Sequence, residues 1–70
     1  MTGRQLQDQL AALGLGQAAF ARLIGRDPVT INRYCHARLD VPRDVAVVVA
    51  LLAMLPPKRR AAAIARFSPD

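Results

Sequence analysis

QAAFARLIGRDPVTINRYC, residues Gln17 to Cys35, is the stretch that decides the fold. An amphipathic run is cut by Gly25, and Asp27-Pro28 restarts a second one. In the first, Phe20, Leu23 and Ile24 recur at helical spacing; in the second, Ile31, Tyr34 and Cys35 share one face. A glycine just past a helix supplies the left-handed residue that ends it. An aspartate before a proline supplies an N-cap and a first-turn residue whose missing N–H costs nothing. The stretch therefore predicts helices over about 17–24 and 28–36 joined by a tight turn. Val29, Asn32, Arg33 and His36 fall opposite the apolar face of the second helix. Two short helices with such a turn, the second presenting amide and basic groups, suit the major groove of DNA.

Working outward toward the start, Thr2 and Gln5 fit the capping-box spacing. Leu6, Leu10 and Leu13 then mark a first helix, Gly14 ends it, and Leu15-Gly16 turns the chain. Toward the end, Ala37 to Val41 reads as a loop carrying Arg38 and Asp40. Pro42 and Asp44 suit the start of a fourth helix. The 11 residues Val45 to Leu55 contain no polar side chain. Their Val47-Val48-Val49 run would also suit a strand. Proline at both ends and no partner strand elsewhere favour a helix. A helix apolar on every side must be covered on every side, here by a fifth helix or a partner subunit. Lys58 to Phe67, with Ile64 and Phe67 at i, i+3, is that fifth helix. Its first turn holds Lys58-Arg59-Arg60, unfavourable for the helix dipole: a solvated start or a phosphate contact. The expectation is an all-α, compact four- to five-helix bundle. It forms a single domain over 1–70, with the helix-turn-helix at 17–36 and residues 42–67 serving core and dimerisation.

Composition bounds the rest. A chain of 70 residues buries only about 60% of the surface its unfolded form exposes. Yet 53% of its residues are apolar, with three aromatics and no Trp, which points to close-packed helices and a subunit contact. The net charge of +5 comes from nine Arg and one Lys. Arg suits bidentate contacts to phosphate or guanine, although GC-rich codon bias raises Arg as well, so position decides more than number. One Cys and one His exclude a disulfide and a zinc constellation, so no metal and no cofactor are expected. No secretory h-region opens the chain, and 11 apolar residues are too few to span a bilayer. A cytoplasmic protein, associated with the nucleoid through DNA, is expected. No paired carboxylates, no nucleophile with its base and no phosphate loop support an enzyme.

These residues resemble the lambda-repressor-like helix-turn-helix regulators, the Cro/C1 or XRE type, over about Leu6 to Leu52. The resemblance rests on Leu13-Gly14-Leu15 leading into Gln17, on Phe20-Ala21, Ile24-Gly25 and Ile31, and on Tyr34. It implies that Ala21 is small because the two helices cross there and that Gly25 makes the turn. It implies that Gln17 hydrogen-bonds a phosphate and that Pro28, Val29 and Arg33 face base edges. Arg33 could pair with guanine, discriminating by about 1–3 kcal/mol, and Val29 could pack on a thymine methyl. Asn32 could read adenine or hold a phosphate. Arg26, Thr30, Tyr34, His36 and Arg38 are backbone or flanking candidates. The departure from the family is Asp27-Pro28-Val29, where many members carry polar residues. Proline donates no hydrogen bond, so Pro28 more naturally fixes the helix start and readout shifts to Val29, Asn32 and Arg33.

Each of these residues has a simpler role. Gln17 could cap a helix start, Arg33 could be a solvated arginine, and His36 could stabilise a helix end. Cys35 reads as a packed core thiol, with a redox switch as its other use. The function implied is a sequence-specific transcriptional regulator, a repressor binding a palindromic operator as a homodimer through Val45, Val48, Val49 and Leu52. Half-sites would stand about 34 Å apart. Phage, mobile-element and anti-CRISPR-operon regulators are similar in size, and no small-molecule ligand is evident. The alternative is an antitoxin or protein-interaction module that uses the apolar 45–55 segment.

Overall fold

The computed structural model describes residues 1–69, all helix and connecting turn with no strand among them. The helices are α1 (Gly3–Ala12), α2 (Gln17–Ile24), α3 (Pro28–Cys35), α4 (Arg43–Met54) and α5 (Pro57–Phe67). The all-α bundle expected from the sequence is present.

Local chemistry sets the helix ends. The Thr2 hydroxyl accepts from the Gln5 N–H at 3.0 Å while the Thr2 N–H donates to Gln5 Oε1 at 2.8 Å. This capping box satisfies two donors that would otherwise stay open. The Asp27 carboxylate accepts from the Val29 N–H at 2.8 Å, with Pro28 opening α3.

Three successive helices close in the same way. Gly14 and Gly25 take φ of +65° and +74°. The residue after each glycine donates back to Leu10 and Ala21 respectively, a Schellman pattern. Helix α3 ends likewise: Ala37 takes φ +57°, and the Arg38 N–H donates to the Arg33 carbonyl at 2.9 Å. The third end is built without a glycine. It therefore left no sign in the sequence.

The core gathers Leu6 and Leu10 of α1, Phe20 and Ala21 of α2, Ile31, Tyr34 and Cys35 of α3, and Val45 and Val49 of α4. Phe20 and Ala21 are both fully buried. Gly3 opens α1 hard against the end of α3. A Cβ there would stand 2.2 Å from the Tyr34 carbonyl oxygen.

The structure corrects the expectation for the last two helices. Only Val45, Val49 and Leu52 of α4 are buried, so α4 is covered on one face and not all round. Helix α5 buries none of its residues, and Phe67 is 66% exposed. What attaches α5 is polar. Arg60 Nε donates to the Leu52 carbonyl at 3.0 Å and its Nη2 to the Leu55 carbonyl at 3.2 Å. The guanidinium thus caps the open C-terminal carbonyls of α4. Arg60 is thereby separated from Lys58 and Arg59: one arginine of that cluster serves the fold.

The dimerisation set needs a second correction. Val45, Val49 and Leu52 are 1%, 0% and 8% exposed. Helix α4 turns them inward against α1 and the core, so a partner cannot reach them. Val48 is half-buried beside α5.

Candidate nucleic-acid interface

The outward face of α3 is as its periodicity requires. Pro28, Val29, Asn32, Arg33 and His36 are exposed, while Ile31, Tyr34 and Cys35 hold the helix to the core. Val29, an apolar side chain 57% exposed, is the largest uncovered hydrophobic on this helix. Arg33 lies one turn beyond Val29. Two ion pairs form among the described residues, Arg4–Asp8 and Arg26–Asp44, and neither involves Arg33 or Arg38.

Helix α2 joins this face through one contact. Asn32 Nδ2 donates to Gln17 Oε1 at 3.1 Å, tying the first residue of α2 to the middle of α3. The bond fixes the direction of both amides. Gln17 is left with its Nε2–H donors, and Asn32 with one N–H and its carbonyl oxygen. The pairing is a finding that sequence reasoning missed. Nothing in the spacing of two amides 15 residues apart marks them as neighbours.

Past α3, the Schellman bond from the Arg38 N–H anchors the loop to the helix end, and the Arg38 side chain projects from that rigid corner. His36 is the C-cap residue and is exposed. Thr30 is half-buried on the flank of the helix.

Two candidates take other work. Arg26 pairs with Asp44 at the start of α4, and its side chain is 30% exposed. Its Nη1 is out of contact with solvent and has no hydrogen-bond partner. The Asp44 carboxylate holds the Arg26 guanidinium above its usual range, and Arg26 in turn holds Asp44 below the usual carboxylate range. Arg26 thus ties the α2–α3 turn to α4 and is withdrawn from the flanking contacts expected of it. Tyr34, 7% exposed, is a core residue, which leaves only its hydroxyl for the flanking contact expected of it.

Cys35 is buried, and burial pushes its thiol up, away from the thiolate that redox chemistry needs. No group of three or more His, Cys, Asp or Glu that could hold a metal occurs among the described residues. No helix among them is long and apolar enough to cross a membrane. Comparison of the chain with protein-family models, with curated proteins and with solved structures finds no match.

Proposed function

We propose that this chain is a sequence-specific DNA-binding regulator of the lambda-repressor-like kind, a repressor that occupies its operator as a homodimer. One observation carries the reading. The exposed face of α3 presents Val29, Asn32 and Arg33, with Arg33 unpaired among the described residues, and Gln17 of α2 is bonded onto the same face.

The chemistry follows from what those groups offer. The Arg33 guanidinium presents two parallel N–H donors to guanine O6 and N7. Asn32 keeps one donor and one acceptor, the pair that adenine N7 and N6 require, while its second N–H orients Gln17. Val29 offers a methyl surface to thymine. Gln17, Thr30, His36 and Arg38 flank this patch and suit phosphate oxygens, which set register without reading sequence. Pro28 starts the helix.

Selection of bound sequences from a random DNA pool tests this. The wild type enriches a palindromic motif, and Arg33→Ala loses preference at one position per half-site by about tenfold or more. If the wild type enriches nothing, specific regulation is the wrong reading. If Arg33→Ala enriches the same motif equally, Arg33 does not read bases.

A second reading, a protein-interaction module of the antitoxin kind, is favoured by the exposed Leu51, Met54 and Phe67. Such a module would enrich no DNA motif.

A further inference from the structure

We propose that Val29 and Arg33 read one base step together, a 5-methylpyrimidine beside a guanine, and that Val29 recognises the methyl group itself. Thymine and 5-methylcytosine then serve alike at that position, so binding responds to cytosine methylation. The proposal rests on the DNA-binding reading above and names the base chemistry that face takes.

Val29 is 57% exposed at the second residue of α3, the end that a recognition helix turns toward the base edges. A β-branched side chain holds few rotamers, so it presents a fixed apolar surface. The backbone beside it offers no donor. Pro28 has no N–H, and the N–H of Val29 is taken by the Asp27 carboxylate at 2.8 Å. Asp27 is in turn committed to that cap. In the major groove thymine carries O4 and a C5-methyl, whereas cytosine carries an N4 amino group and no methyl. A side chain without donor or acceptor is blind to O4 and N4 and responds to the methyl alone. Since 5-methylcytosine bears its methyl on the same carbon, it presents to Val29 what thymine does.

Arg33 stands one turn further along the same face, exposed and outside both ion pairs found among the described residues. Residues at i and i+4 have Cβ atoms about 5–6 Å apart, and neighbouring bases on a strand rise about 3.4 Å. Reach closes the difference. Val29 is short and sits at the helix end nearest the groove floor, while Arg33 is long and sits one turn back. Asn32 is the other exposed residue between them, and its bond to Gln17 at 3.1 Å draws it aside toward α2. Arg33 is therefore the companion of Val29. Its guanidinium pairs with O6 and N7 of guanine while Val29 covers the methyl next to it.

Fluorescence anisotropy with duplexes of the selected operator tests this. The guanine is located as the position at which Arg33→Ala loses preference. In one half-site the neighbouring pyrimidine is set as thymine, uracil, cytosine or 5-methylcytosine. Uracil lacks only the methyl of thymine, so the wild type is expected to bind it about fourfold more weakly. Cytosine is expected to be bound weakly as well, and its methylation to restore about fourfold. Val29→Ala withdraws two methyl groups from an exposed site and should reduce both effects below about twofold. Equal binding of thymine and uracil by the wild type overturns the proposal. So does methylated cytosine bound no better than cytosine, full methyl sensitivity in Val29→Ala, or an operator with no thymine beside a guanine that depends on Arg33. Each of these leaves specific DNA binding standing. Selection of no motif at all is a different result, which removes the DNA-binding reading and this proposal with it.

Discussion

Gly3 and Ala37 each sit where the other residue type would be the usual guess. Gly3 lies in a helix, where alanine is favoured by about 1 kcal/mol. It is glycine because its Cα lies against the end of α3, where a Cβ would stand only 2.2 Å from the Tyr34 carbonyl oxygen. Ala37 ends a helix at φ +57°, where an L-residue is strained by about 1–2 kcal/mol and glycine is not. The two swaps therefore have opposite signs. Gly3→Ala should lose about 2 kcal/mol, or roughly 10 °C of Tm in a domain this small. Ala37→Gly should gain about 0.5–1 kcal/mol, since relief of strain exceeds the extra freedom glycine has when unfolded. The backbones of the two residues are neighbours, so each variant should be measured singly by thermal unfolding. A Gly3→Ala chain as stable as the wild type would mean that α1 and α3 can separate without loss. A destabilised Ala37→Gly would mean that the alanine methyl packs.

At the scale of elements, the contact that links the α2–α3 turn to α4 is the Arg26–Asp44 pair. Asp44 is held below the usual carboxylate range by Arg26, so its charged form is favoured by folding. That contribution is fully present above about pH 3.9, the unfolded value, and is lost as pH falls through the lower folded value. Urea midpoints at pH 7 and near pH 3 should thus separate the wild type from Asp44→Asn more widely at the first pH than at the second. An equal gap at both would show that the carboxylate charge does not matter. This contact was not legible in the sequence, and neither was the Gln17–Asn32 bond. Periodicity, glycines and prolines located all five helices and the exposed face of α3, because those signals are local. A bond between distant polar side chains depends on the angle at which helices cross, and no local pattern records it. The same gap explains the dimerisation set. The unbroken apolar run 45–55 gives no periodic clue to its inward face, so the sequence does not separate Val45, Val48, Val49 and Leu52 from Val47, Leu51 and Met54, the three that α1 and the core leave turned outward.

For the whole molecule, the question is whether a net charge of +5 acts as a diffuse attraction or through a particular face. Diffuse attraction would make each of the nine arginines equivalent toward DNA. A docked face makes them unequal, because only a side chain that neutralises a phosphate releases counterions. Arg38 projects from the corner that closes α3, whereas Arg66 lies over the Phe67 ring at the far end of α5, 5.8 Å from its centroid. Affinity for an enriched operator should fall with salt at a log–log slope of about −0.9 per neutralised phosphate. Replacing Arg38 with Gln in both copies of a dimer should make the slope shallower by about 2, and Arg66→Gln should leave it unchanged. Both changes remove the same formal charge, so total charge cannot produce the difference. Titrations across a salt series read the slope directly. Equal effects of Arg38→Gln and Arg66→Gln would mean that DNA is held by charge alone. In that case the ordered face of Gln17, Asn32 and Arg33 has no docking register to enforce.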